Sequence, residues 1–301
     1  CRIGLSPDRF ILSYCDRALG VTSAEEQPVL PKGNNLSLHL LELFTSRVAK
    51  VGMTDGIRQV LQEESDALRA YYEQAGILIA RPAGETSCRL AISAKGGTNA
   101  ENHNHNDVGS YAVALGSETM VGDQGGPNSY PGDYFNGDAP QKYKIKGSFG
   151  HPVPVVDGRT QSSGGKAKGV VLQKEFTNEK DVFSIDYTSA YSTPNLDKLI
   201  RTFVYDRQGE GNFTVGDEFT AKTPIRFETA ITTRADWKIL DDTHLLLATD
   251  SEQMIVAIEA SGKVAFTSET IEVNSPAYTR IGIALKNQSK EGYIRLKMYT
   301  K

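Results

Sequence analysis

No run of apolar residues in this chain approaches the roughly 18–20 needed to cross a bilayer as a helix, so no membrane span is expected. Cysteine is scarce. Cys1, Cys15 and Cys88 are the only three, too few and too scattered for a disulfide framework or a thiolate metal site, and they leave the redox compartment unread. Basic residues do not predominate. The net charge is −4, which argues against a nucleic-acid partner and requires any polyanionic ligand to meet a local basic patch. No basic and apolar leader opens the chain, and it begins at Cys1 without a methionine, as expected of a processed product or a piece of something longer. No regular period recurs, which disfavours a propeller or a solenoid.

What is present changes character near residue 75. Leu36, Leu40, Leu43 and Phe44 recur at helical spacing, with Val48 a turn beyond. After Gly52, Thr54 or Asp55 can cap a second helix through about Ala70, turning Ile57, Val60, Leu61 and Leu68 inward. Residues 1–75 therefore read as a helical segment. Two helices alone make a poor domain, so further helices are expected to pack on them. From Gly76 to Lys301 the pattern is short alternating runs, such as Cys88–Ser93, Ser110–Leu115, Phe183–Thr188 and Thr279–Leu285, separated by Gly, Asn, Asp and Ser. That is the pattern of a large antiparallel β-sandwich, and the predicted fold class is mainly β, preceded by a short α-helical segment. The glycine-rich stretch 147–169 reads as loops around a short strand at Val153–Val156.

Three of the five histidines are His103, His105 and His151. His103 and His105 lie in Glu101-Asn102-His103-Asn104-His105-Asn106-Asp107, and residues two apart in an extended chain point the same way. Asp123 follows the next predicted strand, and His151 follows in Phe149-Gly150-His151-Pro152. Two neutral imidazoles and a carboxylate suit zinc with a fourth position open. On residue type and spacing alone, a solvated loop pair stands equally open. His39 on an apolar helix face and His244 are read as structural. The order His103-x-His105-x-Asp107 resembles the metallo-β-lactamase signature, in which a histidine follows the aspartate directly. Val108 stands there instead, and the surroundings are sandwich-like rather than alternating strands and helices.

A second resemblance is more specific. Tyr71-Tyr72-x-x-Ala75-Gly76-Ile77-Leu78-Ile79-Ala80-Arg81 resembles the junction where the helical toroid of heparinase II/III-like polysaccharide lyases gives way to their β-sandwich. Asn102-His103-Asn104-His105-Asn106-Asp107, a strand, then Asp123-x-Gly125 and Tyr130, resembles that family's hallmark. Phe149-Gly150-His151 and Val155-Val156-Asp157-Gly158 match its next segment. The likeness is clear over about residues 71–160 and looser, as strand pattern, to Lys301. It implies that residues 1–75 are the end of an α/α toroid and 76–301 the sandwich. It further implies zinc held by His105, Asp123 and His151, with His103 as the catalytic histidine facing the cleft. The family's catalytic tyrosine and carboxylate-binding groups come from the toroid, and no matching positions occur here.

The implied activity is β-elimination on a uronic-acid polysaccharide, heparin or heparan sulfate type favoured, in a periplasmic or secreted setting. The implied partners are the anionic polysaccharide and the missing toroid. The alternatives are a non-catalytic, zinc-stabilised carbohydrate-binding sandwich, or a lyase acting on alginate or another uronan. Asp107 is a candidate acceptor for a ligand histidine or a turn residue. Lys142, Lys144 and Lys146 alternate with Tyr143 and Ile145, so a strand there would present three ammonium groups as a rail for sulfate or carboxylate, or simply a solvated face. Tyr130, Tyr134 and Tyr143 could stack on sugars, but no role is assigned to them.

Overall fold

The computed structural model describes residues 68–84, 86–101, 104–123, 129–272 and 277–301. They form one unit, Leu68–Lys301. The helical reading of residues 1–67 and the catalytic assignment of His103 both lie outside the described residues. The helix expected to run through Ala70 is corrected at its end. β1 (Arg69–Tyr72) is a strand, paired to β2 (Ile77–Ala80) through a turn in which Gly76 has φ 61°. The Tyr71-Tyr72 junction motif is thus the first hairpin of the sheet, and Tyr71 sets its ring edge-on to Phe176 and Phe183.

The architecture is the layered antiparallel β fold that the alternating runs predict. A five-stranded sheet has the order β1-β2-β3-β5-β6, with β3 at Leu90–Lys95, β5 at Tyr111–Leu115 and β6 at Glu118–Val121. An eight-stranded sheet runs β14-β15-β16-β19-β12-β11-β10-β9. Its centre is β11 (Leu196–Asp206), β12 (Asn212–Ile225) and β19 (Ser289–Thr300). Outward lie β10 (Lys180–Asp186) and β9 (Val170–Phe176) on one side, and β16 (Gln253–Ala260), β15 (His244–Ala248) and β14 (Asp236–Asp241) on the other. A four-stranded sheet, β17-β18-β13-β7, joins Val264–Ile271, Tyr278–Leu285, Phe227–Thr233 and Val155–Val156. β4 (Thr98–Asn99) pairs with β8 (Gly164–Lys168).

Alternation drives the packing. β11 turns Leu199, Phe203 and Tyr205 inward, and β12 turns in Phe213, Val215 and Phe219. Phe183, Phe203 and Phe213 stack in a column, and Tyr111 from the five-stranded sheet meets the last two at centroid distances of 6.2 and 6.0 Å. Each such ring pair adds about 0.5–1.5 kcal/mol beyond its buried area. The Tyr205 hydroxyl also donates to the Leu90 carbonyl at 2.5 Å, so rings and hydrogen bonds together join the two sheets.

The long strands β11 and β12 carry the one departure from an apolar interior that matters for the site. Arg201 and Asp217 are direct cross-strand partners, both buried. Arg201 Nε and Nη2 donate to the two Asp217 oxygens at 2.7 and 2.6 Å. Nη2 also donates to Thr229 Oγ1, and Nη1 donates to the carbonyls of Gly109 and Pro152, both at 2.7 Å. A guanidinium has five donors, and all five are used. Gly109 and Pro152 lie beside Asp107 and His151, so this arginine ties both site-bearing loops to the central sheet.

Candidate metal centre

The segment 104–110 leaves β4 and enters β5 as a loop pinned at nearly every peptide. Asn106 N–H donates to the Lys146 carbonyl and Asp107 N–H to Asn99 Oδ1, both at 3.0 Å. The Gln161 amide holds Val108 as a neighbouring strand would, accepting from its N–H at 3.1 Å and donating to its carbonyl at 2.7 Å. Gly109 has φ 87°, and a Cβ there would also press on the Tyr187 ring at 3.3 Å, so only glycine fits easily.

Asp123 follows β6. The strand end is fixed to β13, with Gly122 N–H donating to the Thr232 carbonyl and the Thr232 hydroxyl donating back to the Gly122 carbonyl. The third segment reaches the site through the short helix α1 (Ala139–Lys142) and a single 3-10 turn at Ser148–Gly150. Its approach is close. A Cβ on Gly150 would stand 2.3 Å from the Lys144 carbonyl oxygen and 2.8 Å from Ile145 Cα.

These segments bring Asp123 and His151 into contact and leave His105 close by. His151 is fully buried, and its Nδ1 lies 3.0 Å from Asp123 Oδ1. Its Nε2 lies 3.0 Å from the Ile145 carbonyl. The His105 ring lies 5.2 Å from that of His151, centroid to centroid, with Nε2 3.0 Å from the Tyr134 hydroxyl. The group whose ligand atoms all lie within 4.8 Å of one another is Asp107, Asp123 and His151; it contains Asp107 in place of the expected His105, which stands beside it. Lys95 donates to Asp107 Oδ1 at 2.5 Å.

The electrostatics suit a cation. Burial, reinforced by the His151 charge, pulls the His105 imidazole down to about 4, leaving it neutral with a lone pair to offer. Burial also works against a charged His151, but the Asp123 carboxylate overcomes it and raises its pKa. Burial raises Asp123, yet the His151 charge and hydrogen bonds from His151 and Ser110 hold it well below the usual carboxylate range. Asp107 is pushed up by burial against the pull of Lys95. The Ile145 carbonyl can only accept, so His151 Nε2 carries a hydrogen. In neutral His151 the Nδ1 lone pair then faces a carboxylate oxygen, and two acceptors at 3.0 Å require a proton or a metal ion between them. The donor set therefore fits a divalent cation.

Two expectations from the sequence change here. Asp107 is more than a turn residue, since its carboxylate enters the tight ligand group. The lysine rail is not a strand. Lys142 ends α1 and pairs with Asp133, while Lys144 sits in the following turn, paired with Glu269. Lys146 is buried, with Nζ donating to the Tyr134 carbonyl. The three ammonium groups share no face. Sequence reasoning named Tyr134 without a role and missed Lys95 and Arg201. A tyrosine among tyrosines and a lysine in a strand give no signal of their own, but a lone arginine at an inward position of an apolar strand does.

Beside the histidine block lies a cavity of about 330 Å³, lined by Asn99, Asn104, Asn106, Asn136, Phe135 and Lys146 among others. Among the described residues, no helix is long and apolar enough to cross a membrane.

No protein-family sequence profile and no curated protein sequence matches this chain. Solved structures do. Heparan sulfate lyase HepC from Pedobacter heparinus aligns over 99% of this chain and 43% of its own, with TM-score 0.66 and 14% identity. A mutant of that lyase aligns over 97% and 42%, with TM-score 0.65 and 13% identity. A heparinase III aligns over 77% of this chain and 36% of its own, with TM-score 0.60 and 16% identity. The chain thus spans about two fifths of the length of these structures. Its fold is that of the heparinase III and heparan sulfate lyase structures, the relationship that the histidine block and its flanking motifs imply.

Proposed function

We propose that this chain is the β-sandwich part of a polysaccharide lyase that cleaves a uronic-acid-containing polysaccharide by β-elimination, with heparin or heparan sulfate the favoured type. The observation that supports the reading is the contact of Asp123 with His151, with the His105 ring 5.2 Å from that of His151, in a fold like that of a heparan sulfate lyase. Zinc is the ion assigned to them, because neutral imidazoles and a carboxylate are its preferred oxygen and nitrogen donors. Asp107 stands beside them, held by Lys95. The bound ion would supply a fixed positive charge that braces the loop leading to His103.

The chemistry sets the remaining requirements. The C5 proton of a uronate is weakly acidic, so the carboxylate must be neutralised as the enolate forms. A base removes the proton, and an acid protonates the departing O4. By resemblance, His103 serves as the base or charge-stabilising group, and the other groups belong to an upstream toroid. The 301-residue chain alone is therefore expected to lack lyase activity, and a periplasmic or secreted setting goes with such a substrate. The rival reading is a zinc-stabilised carbohydrate-binding sandwich without catalysis.

The test pairs elemental analysis with a lyase assay. The purified chain should carry near-stoichiometric zinc, lost in His105→Ala and in His151→Ala. A longer chain including the helical domain should release ultraviolet-absorbing unsaturated product from heparan sulfate. There, His103→Ala should keep zinc and lose turnover by about 10²–10⁴-fold, as for a missing acid–base group. A folded, zinc-free protein would sink the metal assignment. Zinc loss in His103→Ala equal to that in His105→Ala would make His103 a ligand instead.

A further inference from the structure

Lys146 is the lysine of its segment whose charge is left without a partner charge. Lys142 pairs with Asp133, Lys144 with Glu269 and, in the facing strand, Lys95 with Asp107. Lys146 is only 7% exposed, yet among the described residues no carboxylate lies within ion-pair distance of it. One of its three N–H donors goes to the Tyr134 carbonyl at 2.5 Å. The ammonium otherwise rests over the rings of Tyr134 and Phe135, each 4.9 Å from Nζ. Burying a cation on neutral partners is costly, and burial here lowers its pKa accordingly. A fold keeps such a group where something anionic arrives to meet it.

The surroundings say what kind of anion. Lys146 lines the cavity of about 330 Å³, near the small end of ligand pockets, which begin at roughly 300 Å³. Asn99, Asn104, Asn106 and Asn136 line it too; the amide groups of Asn99 and Asn106 are spent on Gln161, Ser162 and Ser163, while the carboxamides of Asn104 and Asn136 can donate and accept, as sugar hydroxyls require. Glu101, which accepts from Thr98 Oγ1, is the acidic side chain among the lining residues. Phe135 is 49% exposed at the same cavity, and Tyr130, 55% exposed, lies 5.1 Å from it, centroid to centroid. Such exposed rings offer an apolar face for a pyranose.

We infer that this cavity is a subsite for one acidic sugar unit, in which Lys146 receives a carboxylate or sulfate oxyanion and Phe135, backed by Tyr130, packs against the ring. The inference rests on the carbohydrate reading above, but not on the metal or on catalysis. An ammonium that already holds one carbonyl has two donors left, enough for a bridging oxyanion. Asn104 and Asn136 then fix the hydroxyls, and the sugar's charge satisfies the buried cation.

The test is calorimetric titration of the 301-residue chain with heparan sulfate hexasaccharides in three forms: native, fully desulfated with N-acetyl groups restored, and carboxyl-reduced. Native sugar should bind. Lys146→Met should weaken that binding about tenfold or more, the loss expected for a charge-assisted contact of about 1.5–3 kcal/mol, and Lys146→Arg should restore part of it. The modified sugar that wild type binds as weakly as Lys146→Met binds native sugar identifies the partner group as sulfate or carboxylate. Phe135→Ala, at a half-exposed site where folding is safe, should weaken all three sugars alike, and it keeps the test decisive if Lys146→Met fails to fold. Absence of binding by wild type, or equal affinities in wild type and both variants, would overturn the subsite. Zinc content and product release, measured separately, would stand or fall on their own.

Discussion

Arg201→Met removes a residue that ties the loops around Asp107 and His151 to the central sheet. The side chain is fully buried, and the change leaves Asp217 as an anion with only the Tyr187 and Thr229 hydroxyls for company. Breaking a buried pair by removing one partner costs about 3–5 kcal/mol, because the other charge stays desolvated. The carbonyls of Gly109 and Pro152 lose their donor as well, so this figure is a lower bound for the variant. At about 2–4 °C per kcal/mol for a unit of this size, the melting temperature should drop by roughly 6–20 °C. The double variant Arg201→Met/Asp217→Leu removes the stranded charge, and apolar replacement of such a pair is often neutral, so urea unfolding should recover most of the loss. Zinc affinity should not recover, since the two loop carbonyls remain unanchored in the double variant. A single variant that costs less than about 1 kcal/mol, or a double variant no more stable than the single, would refute the buried-charge argument. Wild-type zinc affinity in the double variant would refute the loop-anchoring argument.

Gly150→Ala places a methyl group 2.3 Å from the Lys144 carbonyl oxygen, so it should destabilise by about 1–3 kcal/mol and reduce zinc content without touching a ligand. The pH dependence of stability should change sign with metal. In the metal-free chain His151 has a raised pKa, so its contribution is full below its unfolded value of about 6.5 and is lost as pH rises through its folded value. Asp123, with a lowered pKa, contributes above about 3.8 and loses that contribution as pH falls through its folded value. Thermal melts of the metal-free chain should therefore fall as pH rises above about 6.5, and those of the zinc-loaded chain should hold or rise, because binding requires His151 neutral. The same slope in both forms would contradict a metal between Nδ1 and Asp123.

Most of the strands were legible because their side chains alternate, and β12 shows what alternation depends on. Phe213, Val215, Phe219 and Ala221 obey period two, but the inward position between Val215 and Phe219 is Asp217. Read alone, that aspartate and the adjacent Gly216 look like a turn. Only its cross-strand partner, the equally misplaced Arg201, explains it, and no local pattern pairs residues 16 apart. The proposed metal site was legible for the opposite reason. Asn102 through Asp107 is dense in ligating and polar types, so chemistry shows in composition without any geometry. The lysine rail failed because Tyr143, Ile145 and the lysines alternate by type, while Pro140 at the head of α1 and the turn at Tyr143–Gly147 set the backbone. Lys146 was named for the wrong reason: its place came from burial under Tyr134 and Phe135, which no spacing predicts.

The parts of the centre come from segments far apart in sequence. Lys95 lies on β3, Asp107 before β5, Asp123 after β6 and His151 before β7, and Arg201 ties the loops around Asp107 and His151 to β11. None of these segments can hold its side chain in place until the sheets that flank it have paired. In the unfolded chain His105 and Asp107 are neighbours, but Asp123 and His151 are loops away, and the two acceptors His151 Nδ1 and Asp123 Oδ1 have no reason to meet. On the proposed reading, metal affinity at the centre is folding free energy of the sandwich, not an attribute of the histidine block. That places the Asn102–Asp107 motif in perspective: it supplies donors, whereas a buried arginine and a glutamine amide, neither of them a ligand, decide where the donors stand.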